Sequence, residues 1–221
     1  MTSADTAAGR SAAVERVWLD ERSWVDVRRG WLPDADDVHA ALVERAAWYQ
    51  GRIWRYERWV EEPRLSAPAR NLAELHPSLL DAHRRIHREY GVAFAPPALA
   101  WYRDGNDSVA FHRDRELRWL DDTVIAVLTL GARRPWWLRP RSARYDHEAA
   151  NRGATHDLAP ASGDLIVMGG RCQADWEHSV PKVRTSAEAG RGRISVQWRW
   201  TSRRGRPETG ANYRAPRFYN R

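Results

Sequence analysis

A mainly β chain with flanking helices (α+β), its strands closed into a jelly roll, is predicted from three observations. From residue 96 onward, about eight short apolar or alternating segments are separated by turn residues such as Asp104-Gly105-Asn106, Gly131, Ser162-Gly163 and Gly169-Gly170. One of these segments, Thr123 to Leu130, is apolar on both faces, as a strand at the centre of a sheet must be. Before residue 96 the periodicity is mostly helical, which places helices outside the roll.

Taken in order, Met1 to Ala13 is small and polar with no periodicity, and a disordered start is expected. Val17 to Leu32 carries Trp18, Trp24 and Trp31 and reads as extended but irregular. Asp34 to Trp48 predicts a helix, with acids in its first turn and Val38, Ala41, Leu42 and Ala46 as the apolar stripe. Ile53 to Val60 alternates weakly, like a strand, and Pro63 to Pro68 breaks that pattern. Ala69 to Tyr90 is a second helical region, restarted at Pro77 and stopped at Gly91. Its His83 and His87 have a metal-pair spacing, but no carboxylate motif accompanies them and Arg84, Arg85 and Arg88 surround them, so a solvated face is the expectation. The predicted strands of the roll are Ala98–Arg103, Val109–His112, Thr123–Leu130, Pro135–Leu138, Ala154–Leu158, Asp164–Met168, Ala174–His178 and Arg193–Thr201. The expected division is a disordered 1–13, a helical lead-in over 14–95, the roll over 96–201 and a basic tail over 202–221.

Composition bounds the function. With 221 residues, 43% hydrophobic and 29% charged, the chain suits one globular domain with a sizeable core. No apolar run approaches a membrane span, and no signal peptide is evident. Cys172 is the single cysteine, which excludes an internal disulfide framework and argues against a Cys-based zinc site. A cytoplasmic monomer is the default expectation. The net charge of +7 is concentrated: residues 201–221 hold six Arg against one Glu, and Ala132 to Arg144 holds five Arg and no acid. Arginine forks among aromatics suit phosphates and unstacked bases, and they equally suit a solvated, arginine-rich surface.

Two patterns carry chemistry. In His112-Arg113-Asp114, a strand puts the imidazole and the carboxylate on one face and Arg113 on the other. That is two thirds of a facial triad for non-haem Fe(II), and His178 in DWEHSVPK is the candidate third ligand. An HxD tripeptide also arises by chance. In Arg193 to Trp200, the odd positions Arg193, Ser195, Gln197 and Arg199 are polar and the even ones apolar. Facing the interior, the two guanidinium groups would need anionic partners, such as a dicarboxylate cosubstrate; at a sheet edge they would face water.

The order Y-x-D-G, H-x-D-x-E, GDLIVM, W-x-H-x-V-P-K and R-x-S-x-x-x-R resembles the AlkB family of Fe(II)/2-oxoglutarate-dependent dioxygenases over about residues 96–200. The resemblance implies a double-stranded β-helix and, in the lead-in, a substrate-recognition region. It implies His112, Asp114 and His178 as iron ligands, and Tyr102, Arg193 and Arg199, with Ser195 and Gln197, around 2-oxoglutarate. It places Glu116 where the family carries an acid that positions the damaged base. Ala100 stands where the family usually has Asn, so Gln197 or water would supply that hydrogen bond. Arg64 matches a Pro-Arg of the substrate region. Leu65 to Leu80 lacks aromatics, so Trp54, Tyr56 or Trp59 would stack on the base, unless they are ordinary core. Asp164 and Trp176 read as structural, with pocket lining the alternative for Trp176.

The implied activity uses Fe(II), 2-oxoglutarate and O2 for oxidative demethylation of 1-methyladenine- or 3-methylcytosine-type bases in DNA or RNA, reversing alkylation damage. Two alternatives remain open: the same chemistry on a tRNA, protein or small-molecule substrate, and a non-catalytic β-roll that binds nucleic acid.

Overall fold

The computed structural model describes residues 14–55, 57–114, 117–141, 155–184 and 192–207. The chain opens with β1 (Glu15–Trp18) and β2 (Ser23–Arg28), then α1 (Ala35–Arg45), β3 (Tyr49–Arg55), β4 (Arg58–Pro68), α2 (Leu72–Leu75) and α3 (Pro77–Tyr90). The roll proper continues with β5 (Ala98–Tyr102), β6 (Val109–His112), β7 (Thr123–Gly131), β8 (Trp137–Pro140), β9 (His156–Asp157) and β10 (Leu165–Gly170). A short α4 (Cys172–Asp175), β11 (Trp176–Val180) and β12 (Arg193–Thr201) complete it. An eight-stranded sheet runs β1-β2-β10-β7-β12-β5-β4-β3, and a four-stranded sheet runs β6-β11-β8-β9. Every paired strand is antiparallel. The jelly-roll-type, mainly β architecture is therefore the one predicted.

β7 is central and buried along its whole length. Val124, Ala126, Leu128 and Leu130 pack toward the helices, while Ile125 and Val127 join the core shared with the smaller sheet. β12 follows the same alternation: Ile194, Val196 and Trp198 lie on the helix side. Period 2 then sends Arg193, Ser195, Gln197 and Arg199 to the face between the sheets. α1 covers the outer face with Val38, Ala41 and Leu42, and α3 with Leu79, Ala82 and Ile86. α3 begins as the sequence predicts: Pro77 needs no N–H partner at the first position, and the His76 ring accepts from the Ser78 N–H. Gly91 closes it in the left-handed conformation at φ 65°.

Three local expectations are corrected. Residues 14–95 contain the helices, but they also supply β1 to β4, so the lead-in is half of the larger sheet. The stretch read as irregular is the β1–β2 hairpin. Val25 and Val27 of β2 face the inner core, and its outward Asp26 is held by Arg16 and Tyr90. The prolines at 63 and 68 do not break β4. The β3–β4 ladder shifts register between Gln50 and Arg52, opposite Glu61 to Leu65, so Pro63 sits where no ladder N–H is required; Pro68 is the strand's last residue. In addition, His83 and His87 are half-buried rather than solvated, stacked edge-on at 4.2 Å with His87 5.6 Å from Phe94. The N-terminal 1–13, most of the basic tail, Tyr56, Glu116 and Arg144 lie outside the described residues. Among the described residues, no helix is long and apolar enough to cross a membrane.

Candidate metal centre and cosubstrate pocket

β6 and β11 are neighbours, and their register sets His112 opposite His178. Asp114 follows two residues after His112, and its Oδ1 lies 3.7 Å from His112 Nε2 and 3.6 Å from His178 Nε2. One ligand atom from each residue falls within 4.8 Å of the others, and no other such trio occurs among the described residues. These separations are too long for hydrogen bonds and suit three ligands around one ion.

The surroundings fix each ligand. His112 Nδ1 lies 2.9 Å from the Ala110 carbonyl, which puts the ring proton on Nδ1 and leaves Nε2 its lone pair. The Asp114 N–H donates to Gln173 Oε1 at 2.8 Å, and Asp114 Oδ2 accepts from Arg199 Nε at 2.6 Å. Arg199 is steadied in turn by donating from Nη2 to Gln197 Oε1 at 2.5 Å. Gln197, expected at the cosubstrate, is thus engaged with Arg199. The His178 ring stacks on Trp136 at 5.3 Å and 13°. Gln173 and Trp136 had no signal in the sequence that tied them to the site.

Burial alone would raise the Asp114 carboxyl, but the Arg199 guanidinium, aided by both imidazoles, holds it well below the usual range. Burial pushes His178 down to about 3, with His112 contributing, and burial likewise lowers His112. At neutral pH the trio is therefore in the form a metal ion requires, two neutral imidazoles and a carboxylate. A pH dependence follows. The unfolded His178 takes a proton near its ordinary 6.5, whereas the folded one waits until about 3. Across that interval the unfolded chain binds more protons, so stability falls as pH falls. Asp114 acts in the same direction below its ordinary 3.8. The urea midpoint of the metal-free protein is expected to decline from pH 7 to pH 4, and His178→Ala to flatten the decline above pH 5.

The second half of the site is a cluster of unmatched donors. Arg193 is fully buried, and none of its three side-chain nitrogens has a hydrogen-bond partner among the described residues. Burial lowers its pKa to about 10, which still leaves it charged at neutral pH. Tyr102, also buried, is its register partner on β5. Ser195 continues the same face, and opposite it on β7 the buried Thr129 hydroxyl has no partner. A buried cation with no hydrogen-bonded carboxylate is costly, even where Asp157 and Tyr102 act on it through charge. The chain's own donors thus fit a carboxylate-bearing ligand here, a few residues along β12 from the arginine that holds Asp114.

The predicted substrate residues are more dispersed. Arg64 lies on β4, where its charge acts on Tyr102, His112 and His178. Trp54 and Trp59 form an edge-on pair at 5.6 Å on the β3–β4 hairpin, and both are exposed. Tyr56 and Glu116 fall outside the described residues. Asp164 accepts from the backbone N–H groups of Gly30 and Ala161 and pairs with Arg29, a structural role. Trp176 donates to Asp20.

Two histidines and an aspartate on a jelly roll, backed by an unpaired buried arginine, are the architecture of a non-haem iron, 2-oxo-acid oxygenase. The 2OG-Fe(II) oxygenase superfamily matches residues 36–199. Alpha-ketoglutarate-dependent dioxygenase alkB homolog 3 of Bos taurus is 30% identical, over 74% of this chain and 54% of that protein. DNA oxidative demethylase ALKBH2 of Bos taurus is 24% identical, over 67% of this chain and 59% of that protein. The chain thus spans little more than half the length of these curated relatives. A prolyl hydroxylase of Trichoplax adhaerens, solved with a hypoxia inducible factor peptide, shares the fold at a TM-score of 0.53 and 13% identity, over 80% of this chain and 83% of that one. The chain belongs to the 2OG-Fe(II) oxygenase superfamily, and the curated relatives named here are AlkB homologues. The family's cofactors are Fe(II), 2-oxoglutarate and O2, and the donor set described above fits them.

Proposed function

We propose that this protein is a dioxygenase that oxidatively demethylates N-alkylated nucleobases of the 1-methyladenine and 3-methylcytosine type in DNA or RNA. The observation that carries the oxygenase part is the unpaired, fully buried Arg193 on the same interior sheet face as Arg199, which grips the ligand Asp114. The nucleic-acid part draws support from the relatives, one of which is named a DNA oxidative demethylase.

His112, Asp114 and His178 would hold the iron, which with 2-oxoglutarate and O2 supplies oxidation of a substrate C–H bond and yields succinate and CO2. Arg193 would bind the far carboxylate of the cosubstrate, with Tyr102 and Ser195 beside it. Arg199 and Gln197 keep the Asp114 carboxylate aimed at the two imidazoles. Arg64 stands beside the centre as a cation for the substrate strand. Glu116 would favour a cationic base, and a methylated base that has lost its pairing is cheap to flip out. Hydroxylation of an N-methyl group leads to loss of formaldehyde.

Formaldehyde release from a 3-methylcytosine oligonucleotide, dependent on Fe(II) and 2-oxoglutarate and absent in His178→Ala, is the expected result. Methylated tRNA is the parallel arm. Succinate formation without formaldehyde from either substrate would move the same chemistry to a protein or small molecule, and neither product would leave a non-catalytic β-roll. The exposed Trp54 and Trp59 give a separate prediction. Replacing either with Ala should weaken single-strand binding by about 1–3 kcal/mol, as loss of a base-stacking platform does, read by fluorescence anisotropy.

A further inference from the structure

We propose that Arg134 is a positioning residue that braces the cosubstrate pocket and makes it selective for a doubly charged 2-oxo acid; this rests on the cosubstrate reading above. Arg134 lies between β7 and β8 and is almost wholly buried. Its Nη1 donates to the Asp104 carbonyl at 2.7 Å, and its Nη2 donates to the carbonyls of Asp107 at 2.8 Å and Pro181 at 3.0 Å. Asp104 and Asp107 belong to the turn that joins Tyr102 to the strand of His112. Pro181 follows directly on β11, the strand of His178. One guanidinium therefore ties together the two segments that leave the cosubstrate residue and a metal ligand. The tie is tight, because the Val183 N–H also donates to the Gly105 carbonyl at 2.9 Å, and a Cβ on Gly105 would come within 2.3 Å of the Val183 carbonyl oxygen. A lysine ammonium is a compact point charge on a flexible stem and cannot reproduce this spread of donors.

The same group has an electrostatic consequence. The Arg134 guanidinium carbon lies 5.6 Å from the centre of the Tyr102 ring, and Arg193 is the register partner of Tyr102. Two buried cations thus lie around one tyrosine, and among the described residues neither is hydrogen-bonded to a carboxylate: Arg134 donates to carbonyls, and Arg193 has no hydrogen-bond acceptor, feeling Tyr102 and Asp157 through charge alone. The Asp107 carboxylate is hydrogen-bonded by Arg103 and, like the Asp104 carboxylate, reaches Arg134 only through its charge. The Arg134 charge acts on Arg193 and disfavours its protonated form, and a carboxylate delivered by a ligand to Arg193 offsets that repulsion. A ligand without that second carboxylate gains nothing from Arg134.

The test is calorimetric titration of the iron-loaded protein without oxygen, with 2-oxoglutarate and with 2-oxopentanoate, which keeps the chain length and lacks the far carboxylate. Melting temperature is recorded beside it. In R134Q, 2-oxoglutarate binding should weaken by about tenfold or more while 2-oxopentanoate binding changes less than about threefold, because specificity is a difference of affinities. R134K should melt lower yet keep most of the wild-type discrimination, since the charge remains. Equal losses for both acids, or no loss for either, would overturn the role given to Arg134. Should R134Q not fold, R134K decides alone: discrimination kept supports the inference, and discrimination lost overturns it. A wild-type protein that does not prefer 2-oxoglutarate would instead sink the cosubstrate reading itself.

Discussion

Asp114→Asn is expected to fold normally and to lose iron affinity by well over the roughly 10–100-fold that an outer-shell change costs. The reason lies in what this one carboxylate serves. Its Oδ1 faces both imidazoles at 3.6 to 3.7 Å, and its Oδ2 accepts from the Arg199 Nε. An amide keeps the backbone hydrogen bond from the Asp114 N–H to Gln173, so the turn after β6 stays in place. It removes the negative charge, however, and can present an N–H either to Arg199 or to the metal position, both of which are wrong. Succinate formation should fall with iron occupancy, and a melting curve would show that the fold survives. Iron binding within a few-fold of wild type would mean that His112 and His178 suffice and that Asp114 belongs to Arg199 rather than to the metal.

The parts of this site that were legible in the sequence are those where a strand's two-residue period does the arranging. His112 and Asp114 share a face for that reason, and so do Arg193, Ser195 and Arg199. β7 announced its central place by being apolar on both faces, and Pro77 and Gly91 bounded α3 by their backbone chemistry. What was hidden is contact between segments distant in the chain. Gln173 reaches the Asp114 N–H across 59 residues, and Arg134 reaches Pro181 across 47. Neither side chain belongs to a periodic pattern that would single it out. The β1–β2 and β3–β4 hairpins were obscured for another cause. β1, β3 and β4 carry Arg, Glu and Trp at exposed positions and β2 buries the polar Ser23, Asp26 and Arg28, which dilutes the alternation, and a register shift sits at Pro63. His178 was the candidate third ligand from the triad pattern, and the resemblance supplied the cosubstrate roles; the strand register then showed how His178 comes to face His112.

Arg193→Met should change two properties in opposite directions. Without cosubstrate, the variant is expected to be more stable than wild type by about 1–4 kcal/mol, as when buried charges give way to apolar side chains of similar volume. Arg193 has no hydrogen-bond partner among the described residues, and although burial lowers its pKa to about 10, it cannot escape the cost by losing its proton at neutral pH. For a chain of this size each kcal/mol raises the melting temperature by about 2–4 °C. With cosubstrate the order should reverse. Wild type gains stability as 2-oxoglutarate binds, by linkage, whereas the variant gains little, its affinity falling by about a hundredfold or more through loss of a buried, charge-assisted fork. Melting curves of both proteins across a 2-oxoglutarate titration would therefore cross. If they run parallel, with wild type always above, Arg193 is satisfied inside the fold and is not held in reserve for a carboxylate. A crossing would mean that the sheet carries an uncompensated charge in the resting protein because binding the cosubstrate requires it.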